Sequence, residues 1–349
     1  MFEPLQLPFF FIIGRPRSGT TLIRTLLDAH PNVIVPPEYP VIPDLFNRLG
    51  AYPHWNASNK AKLLETFKKP QTFNFWNYEY LRIDEQTLSL DITKLQGCIP
   101  LHKVLKLFYY HSQSVFPKQE LQLLGDKNPV YALYTPRLMK WFPDAKFLFI
   151  TRDYRDNFLS MRKFEWEAPH PVLQAWRWKY ITRMMLKLKE VYPTRILMFR
   201  YEDLVTHPEE KLQQICTFLE IPFIPAMLNF HKKAGDGFSF IDRETLLKYH
   251  ESLIQPINTS SIGRWKEKLT SREIQLMDVT VGEYAGKAGY LREFHHFPLR
   301  IQMIALPMQI YGFILYKLML LGEYLPYKVK VGLAQMLPWL VKVYRKFKP

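Results

Sequence analysis

The chain has 349 residues, of which 48% are hydrophobic and 15% aromatic. This is enough apolar material for one large globular domain, or one domain with an appendage, and no low-complexity tract or fixed-period repeat interrupts it. The formal net charge of +15 points to an anionic partner: nucleic acid, a phosphate-rich cofactor or an anionic membrane. Two cysteines, Cys98 and Cys216, exclude a disulfide framework and structural zinc, and they favour a reducing compartment.

Four short apolar segments are typical of buried parallel strands, and each is followed by a polar turn and a helical pattern. The predicted strands are residues 8–14, 121–127, 145–153 and 195–203. Helices are predicted at residues 20–29, 101–114, 155–164, 171–191, 208–219 and 271–285. This alternation predicts an α/β fold, a P-loop-like doubly wound parallel sheet flanked by helices, with ligands at the carboxyl ends of the strands. The first apolar run leads directly into a glycine loop, so we interpret it as a strand rather than a signal peptide or anchor.

The segment GRPRSGTT, residues 14–21, has the outline of a phosphate-binding loop between a strand and a helix. A standard P-loop has lysine directly after its second glycine, where this chain has Thr20. Backbone N–H groups at the start of the helix should form an anion site, with Arg17 adding a full positive charge. The predicted amides are those of Ser18, Gly19, Thr20 and Thr21. The loop is therefore predicted to hold a phosphate-like group without a lysine.

A second motif, FLFITRDYRDNFLSMRKF, spans residues 147–164. Arg152 stands at the end of its strand, where an ATPase would have a magnesium-binding aspartate, and Ser160 lies eight residues later on the next helix. This pattern favours direct contact with a second phosphate. Asp153 is a candidate metal ligand, but its arginine neighbours favour an ion pair.

Together, GRPRSGTTLIRTLLDAHP and FPDAKFLFITRDYRDNFLSM resemble the two cofactor motifs of sulfotransferases that use 3′-phosphoadenosine 5′-phosphosulfate (PAPS). The chain is most similar to the branch containing tyrosylprotein sulfotransferases and bacterial enzymes. The resemblance extends over residues 8–291 and includes RYEDLVTHPEEKLQQICTFLEIP and QPINTSSIGRWKEKL. It implies an enzyme that moves a sulfuryl group from PAPS to a hydroxyl acceptor without a metal.

The resemblance also implies roles for the motif residues. Arg17 and the amides of residues 18–21 would hold the 5′-phosphosulfate, and Arg152 and Ser160 would hold the 3′-phosphate. A lysine for a γ-phosphate is unnecessary, because PAPS has no triphosphate.

Three further residues are implied cofactor contacts. Arg264 and Trp265, in the sequence GRW, resemble a late loop that closes over the cofactor, with Arg264 at the 3′-phosphate. Tyr201 follows the fourth predicted strand, and two interpretations stay open: a nucleotide contact or a plain core tyrosine.

The resemblance implies three catalytic residues: Glu38 as base, with Lys127 and Arg17 on the developing negative charge. An ordinary glutamate has a pKa of about 4.3, so Glu38 must have a raised pKa or take the proton only as the transition state forms. The alternative for Lys127 is an ion pair with its neighbour Asp126, and His102 is the second-ranked base.

The acceptor is the least determined part of the prediction. The tyrosylprotein enzymes have arginine two residues beyond the catalytic acid, where this chain has Pro40, and they have an N-terminal membrane anchor that we do not expect here. Aromatic residues are frequent in the segments that would shape the acceptor pocket. They are Tyr39, Phe46, Tyr52, Trp55, Phe73, Phe75, Trp76 and Tyr78. We therefore predict a hydrophobic alcohol such as a lipid or sterol, with protein tyrosine or a glycan as the alternative; Thr20 and Arg152 argue against a P-loop kinase or NTPase.

The composition changes near residue 298, which predicts a sulfotransferase domain over residues 1–298 and a basic amphipathic helical tail over 299–349. The tail has eight basic residues and one acid, so its formal charge is +7. Pro307, Gln309 and Lys317 interrupt its apolar run and argue against a clean membrane span. Two interpretations stay open: a helical pair packed on the domain, or an interfacial helix in peripheral contact with a membrane. We expect a cytoplasmic protein that binds no nucleic acid.

Overall fold

A five-stranded parallel sheet forms the centre of the protein. The computed structural model describes residues 3–70, 78–164, 168–234 and 254–322, with positions 325, 329, 332 and 336 beyond them. The strands are β1 Phe9–Gly14, β2 Val33–Ile34, β3 Leu123–Lys127, β4 Lys146–Thr151 and β5 Ile196–Arg200, and their order in the sheet is β2-β3-β1-β4-β5. All four predicted strands are present. The prediction missed β2, because two residues carry no detectable periodicity.

Helices connect and cover the strands. They are α1 Thr20–Asp28, α2 Ile42–Leu49, α3 Ala57–Lys68, α4 Glu85–Thr93, α5 Leu101–Tyr110, α6 Thr135–Trp141, α7 Tyr154–Met161, α8 Pro171–Val191, α9 Tyr201–Thr206, α10 Pro208–Leu219, α11 Ser271–Val281 and α12 Leu299–Gly322. Shorter helical segments are Glu3–Leu5, Tyr78–Leu81, Pro129–Leu133, Pro225–Asn229, His231–Ala234, Trp265–Lys268 and Tyr284–Lys287. The predicted α/β class with a helical C-terminal extension is confirmed.

Several predicted boundaries were wrong: the helices predicted over residues 101–114 and 155–164 end at Tyr110 and Met161. Two other boundaries differ for local reasons. The last strand ends at Arg200 rather than at residue 203, because α9 begins at Tyr201. The helix predicted over residues 271–285 ends at Val281, because Gly282 has a φ of 58° and terminates it. The short helices α2, α3, α4, α6 and α9 were not predicted.

The side chains of β1 alternate between two cores, one on each face of the sheet. Phe9, Phe11 and Ile13 lie in the core that contains residues of α2, α3, α5 and α6. Phe10 and Ile12 pack against α1, α9 and α10. All five of these side chains are at most 4% exposed, and each contributes about 1.5–3 kcal/mol by burial. This two-faced burial explains why the strand is apolar throughout.

The parallel strands bring the predicted motifs to one edge. Ile12 of β1 is in register with Lys127 of β3, and Gly14 is in register with Ile150 of β4. The residues that follow β1 and β4, and the last residue of β3, therefore lie side by side at the carboxyl edge of the sheet.

The long helix α12 lies against the domain. Its residues Ile301 and Ala305 are buried together with Val172 of α8 and Leu276 of α11. The helix continues through Pro307. It has 24 residues, and an 18-residue window within it has a mean hydropathy of 1.6, so by length and composition it is the one described helix able to cross a membrane.

Candidate active site

The loop after β1 presents a row of unused backbone donors. Arg17 and Gly19 have φ angles of 67° and 93°, and these left-handed residues turn the chain into α1. The amides of Gly19, Thr20 and Thr21 donate to no acceptor within the described residues. Ser18 differs from the prediction, because its amide donates to the Arg15 carbonyl at 3.2 Å. Three of the four predicted amides are thus available to an anion at the helix N-terminus.

Gly19 is required by a close approach as well as by its φ. A Cβ at this position would lie 2.4 Å from Cδ2 of Tyr201. Tyr201 is 7% exposed, and its hydroxyl is 2.7 Å from Oγ of Ser261. The structure therefore places Tyr201 as a core residue that supports the loop, and a direct nucleotide contact stays a prediction.

Arg152 joins three parts of the site. Its Nη1 donates to the Arg17 carbonyl at 3.1 Å and its Nη2 donates to the Ser261 carbonyl at 2.7 Å. Its guanidinium lies 4.6 Å from the centre of the Tyr201 ring. The buried Nε has no hydrogen-bond partner within the described part of the chain. This unused donor is consistent with the predicted phosphate contact.

Arg17 and Ser160, assigned to opposite ends of the cofactor, contact each other. Arg17 Nε donates to Ser160 Oγ at 3.0 Å, and the guanidinium lies 5.2 Å from the Phe164 ring. In this structure Arg17 therefore belongs to the same cationic cluster as Arg152. Its predicted contact with the 5′-phosphosulfate stays a prediction.

Asp156, which the sequence analysis missed, holds the GRW loop. Its carboxylate accepts the Gly263 amide at 2.7 Å and the Trp265 amide at 2.9 Å. Burial raises its pKa, and these hydrogen bonds oppose the rise. Asp156 lies four residues after Arg152 and four before Ser160, so an i, i+4 reading of the helix would have found it.

The two predicted GRW residues lie on opposite sides of the loop. The Trp265 ring is 6% exposed and lies 3.6 Å from the Arg155 guanidinium, so it anchors the loop to the domain. Arg264 is exposed, and its side chain makes no hydrogen bond or ion pair within the ranges described. Its positive charge is thus available for the predicted phosphate contact. A nucleotide contact by Trp265 stays a prediction.

Glu38 and Lys127 form an ion pair beside the loop. Lys127 is 3% exposed, and its Nζ also donates to Thr21 Oγ1 at 3.2 Å. Burial lowers the pKa of Lys127, while the neighbouring Glu38 carboxylate opposes the shift. Glu38 retains 29% side-chain exposure, so it is open to solvent while its partner is buried. A proton acceptor and a buried cation therefore meet at the helix N-terminus.

The alternative pairing of Lys127 with Asp126 is not found. Asp126 instead accepts the Tyr109 hydroxyl at 2.5 Å and Asn128 Nδ2 at 2.8 Å. Burial raises the pKa of Asp126 to about 7, and both hydrogen bonds oppose the rise.

His102 lies at the opposite edge of the sheet. Its ring centre is 5.8 Å from that of Phe142, which precedes β4. One helical turn later, Lys106 Nζ donates to the Leu7 carbonyl just before β1, at 2.6 Å. Burial lowers the pKa of His102 to about 4. A histidine at the amino edge cannot serve as base at the carboxyl edge, so Glu38 keeps that assignment.

Asp153 forms the expected ion pair. Its Oδ2 is 2.7 Å from Arg155 Nη2 and its Oδ1 accepts the Arg155 amide at 2.9 Å, which caps α7. Within the described ranges, no group of three or more histidine, cysteine or acidic side chains has a metal-binding arrangement.

Known proteins with similar sequences are sulfotransferases. The family model described as "Sulfotransferase family" matches residues 8–225. The protein-tyrosine sulfotransferase of Drosophila melanogaster is 30% identical over 274 residues, which are 74% of this chain and 47% of that protein. Protein-tyrosine sulfotransferase 1 of Danio rerio is 28% identical over 298 residues, covering 82% of this chain and 73% of that protein. The chain thus spans about half the length of the fly relative.

A solved structure supports the fold. The sulfotransferase domain from the Synechococcus olefin synthase has a TM-score of 0.54 and 24% identity, covering 83% of this chain and 96% of that one. Because the family match takes in β1 to α10, including both anion-binding motifs and the Glu38–Lys127 pair, the chain belongs to the sulfotransferase family.

Proposed function

We propose that this protein transfers a sulfuryl group from PAPS to the hydroxyl of a protein tyrosine. The observation that carries the reaction is the Glu38–Lys127 pair at the N-terminus of α1. The predicted hydrophobic alcohol is now the second candidate, since the relatives matched over most of this chain are protein-tyrosine sulfotransferases.

The residues fit the phosphates of PAPS. Within the described residues, three amides at the start of α1 and the buried Nε of Arg152 have no acceptor, and Arg264 is an exposed cation on the adjacent loop. These are donors and positive charges, and the two oxygens of nearby Asp156 are occupied by the Gly263 and Trp265 amides. We expect the α1 amides at the 5′ end, and Arg152, Ser160 and Arg264 at the 3′-phosphate.

When bound, PAPS supplies an activated sulfuryl group on a phosphate leaving group. Glu38 accepts the proton of the acceptor hydroxyl as general base. Lys127 provides a fixed positive charge for the oxygens that become more negative during transfer, and Thr21 holds its ammonium in place. The salt bridge between the two residues holds the Glu38 carboxylate beside the Lys127 ammonium.

The aromatic residues no longer support a lipid acceptor. Tyr39, Phe46 and Trp55 are at most 6% exposed and belong to the core. Tyr39 donates its hydroxyl to the Phe67 carbonyl. Phe73, Phe75 and Trp76 lie outside the described residues. Tyr39, Phe46 and Trp55 therefore do not line an open acceptor cleft, whereas Tyr52 is 72% exposed.

Cofactor class is tested by thermal unfolding. We expect 3′,5′-adenosine bisphosphate without metal to raise Tm, and ATP with Mg²⁺ to leave Tm unchanged. Replacing Arg152 by Ala should abolish the first effect, because it removes the buried guanidinium. A rise with ATP and Mg²⁺ alone would overturn the proposed donor.

Acceptor class is tested with labelled PAPS. The purified full chain is incubated in parallel with tyrosine-containing acidic peptides, their phenylalanine counterparts, and a sterol in detergent. Label on the tyrosine peptides only supports the proposal, whereas label on the sterol only restores the hydrophobic alcohol. Label on none of them, with a retained Tm shift, leaves the donor intact and overturns the tyrosine assignment.

A further inference from the structure

The outward face of α12 is mainly apolar, and Lys317 is the charged residue between Ile314 and Leu321 on that face. Met303, Ile310, Ile314 and Leu321 are 64%, 50%, 49% and 62% exposed. Their spacing of seven, four and seven residues places them on one face. The helix contains two charged residues, Arg300 and Lys317.

The inward face is held by the domain. Ile301, Ala305, Gly312 and Tyr316 are the buried residues of the helix. A Cβ at Gly312 would meet the Trp176 ring at 2.9 Å, so the absence of a side chain lets the helix lie close to α8. The ring centres of Tyr316 and Trp176 are 4.8 Å apart. The helix is therefore fixed along the domain by a stripe of small and aromatic residues.

A helix fixed in this way normally turns polar residues to water. Here the side opposite the buried stripe carries large aliphatic and aromatic side chains instead. Soluble proteins rarely expose a continuous apolar patch of this kind without a partner to cover it. The outward face of α12 is thus a docking surface.

The charge of the C-terminal sequence, together with that of α8, indicates the partner. Residues 299–349 have eight basic side chains and one acid. On α8, Tyr180 contacts Tyr316, with ring centres 4.8 Å apart, and the exposed residues Arg183 and Lys187 follow within two turns. Apolar residues flanked by cations are the combination that binds the interface of an anionic bilayer.

We propose that α12 docks the protein on an anionic lipid bilayer, with the helix parallel to the membrane plane and its outward face in the headgroup–acyl boundary. Crossing the bilayer would separate Ile301, Ala305, Gly312 and Tyr316 from α8 and α11. When the helix lies parallel to the membrane, this packing is kept and the outward face contacts the lipid. The inference concerns a surface away from the candidate active site and does not depend on the proposed reaction.

Vesicle flotation of the full chain tests the docking. We expect binding to phosphatidylcholine vesicles containing phosphatidylserine, weaker binding to phosphatidylcholine alone, and loss of the difference at high salt. A triple variant, Met303→Gln, Ile310→Gln and Ile314→Gln, should lower the partition coefficient by at least about tenfold, because three apolar side chains are removed from the interface. Tm of each variant is measured to confirm folding.

The matched control changes three exposed apolar residues elsewhere. Tyr52, Leu90 and Val191 are 72%, 61% and 67% exposed, and their replacement by Gln should leave vesicle binding unchanged. Equal binding of the α12 variant and the wild type overturns the proposal. The proposal is also overturned if the wild type stays in the aqueous fraction. It is overturned as well if the wild type is a dimer without lipid and the α12 variant is a monomer, because the face would then be an interface between copies.

Orientation is tested by alkaline carbonate extraction of the membrane-bound protein. A helix lying at the surface is released, whereas a spanning helix stays with the bilayer. Retention in the membrane would overturn the parallel orientation.

Discussion

At the scale of single residues, the site depends on where charge is buried. Lys127 is almost completely buried, and Glu38 is its partially exposed counter-ion. Arg152 is also buried, yet one of its donors is unused. A buried donor or cation without a full set of partners is costly in a folded protein, so these groups are poised for an anionic ligand.

Glu38→Gln should separate binding from chemistry. We expect kcat to fall by about 10²–10⁴-fold, because the general base is lost while the side chain keeps its size. Binding of 3′,5′-adenosine bisphosphate, measured by calorimetry, should be retained. Turnover equal to wild type would mean that another group takes the proton.

The pH dependence should report on Lys127. Because burial lowers its pKa, the lysine loses its proton at a lower pH than an ordinary lysine, and kcat/KM for PAPS should decline early on the alkaline side. In Lys127→Arg the guanidinium stays charged, so this decline should move to higher pH even though the rate at neutral pH is reduced. An unchanged alkaline limb in the variant would assign the titration to another group.

At the scale of elements, the strand–loop–helix unit from β1 to α1 is built around one close approach. Gly19 is left-handed and lies against Tyr201, which itself is held at the start of α9. Sequence spacing indicated the glycine turn, but the ring that contacts Gly19 belongs to Tyr201, which is 182 positions later in the chain. The anion site is therefore assembled by two elements at the same sheet edge.

Gly19→Ala should damage this unit through both strain and contact. We expect a loss of stability of about 1–3 kcal/mol from the left-handed backbone, with further loss from the clash with Tyr201, and weaker 3′,5′-adenosine bisphosphate binding. Gly50→Ala is the control, since Gly50 has a φ of 74° and no atom within 4 Å of an added Cβ. Both variants are compared by urea unfolding and calorimetry. Similar effects on binding in the two variants would contradict a specific role for the Gly19–Tyr201 approach.

At the scale of the whole molecule, the C-terminal extension is partly integrated with the domain. The predicted boundary at residue 298 falls just before α12, whose inward stripe covers Val172 and Leu276. The compositional change at this position therefore does not coincide with a loss of packing. Whether residues 1–298 form an independent unit stays a prediction.

Two truncations test this boundary. A chain ending at residue 298 should lose about 2–5 kcal/mol of unfolding free energy, because it exposes the apolar surface beneath Ile301 and Ala305. A chain ending at residue 322 retains α12, and its free energy of unfolding should equal that of the full-length protein. Chemical denaturation of the three proteins compares them, and equal stability of the chain ending at 298 would support the sequence-based boundary.

Patterns local in the sequence were sufficient for much of the fold and for part of the site. The apolar runs of β1, β3, β4 and β5 predicted the sheet, because strands buried on both faces contain few polar residues. The resemblance then implied the roles of Glu38 and Lys127. These residues are 89 positions apart in the sequence, and in the structure they are in direct contact.

Tertiary structure alone decided which of the candidates work together. His102 lies at the amino edge of the sheet, Lys127 pairs with Glu38 rather than with Asp126, and Asp156 binds the amides of the GRW loop. The tertiary structure also shows that α12 is packed on one side and mainly apolar on the other. The sequence by itself determined the sheet and the two anion-binding motifs, since periodicity and turn residues act over a few positions; pairing and exposure depend on distant contacts that only the folded chain brings together.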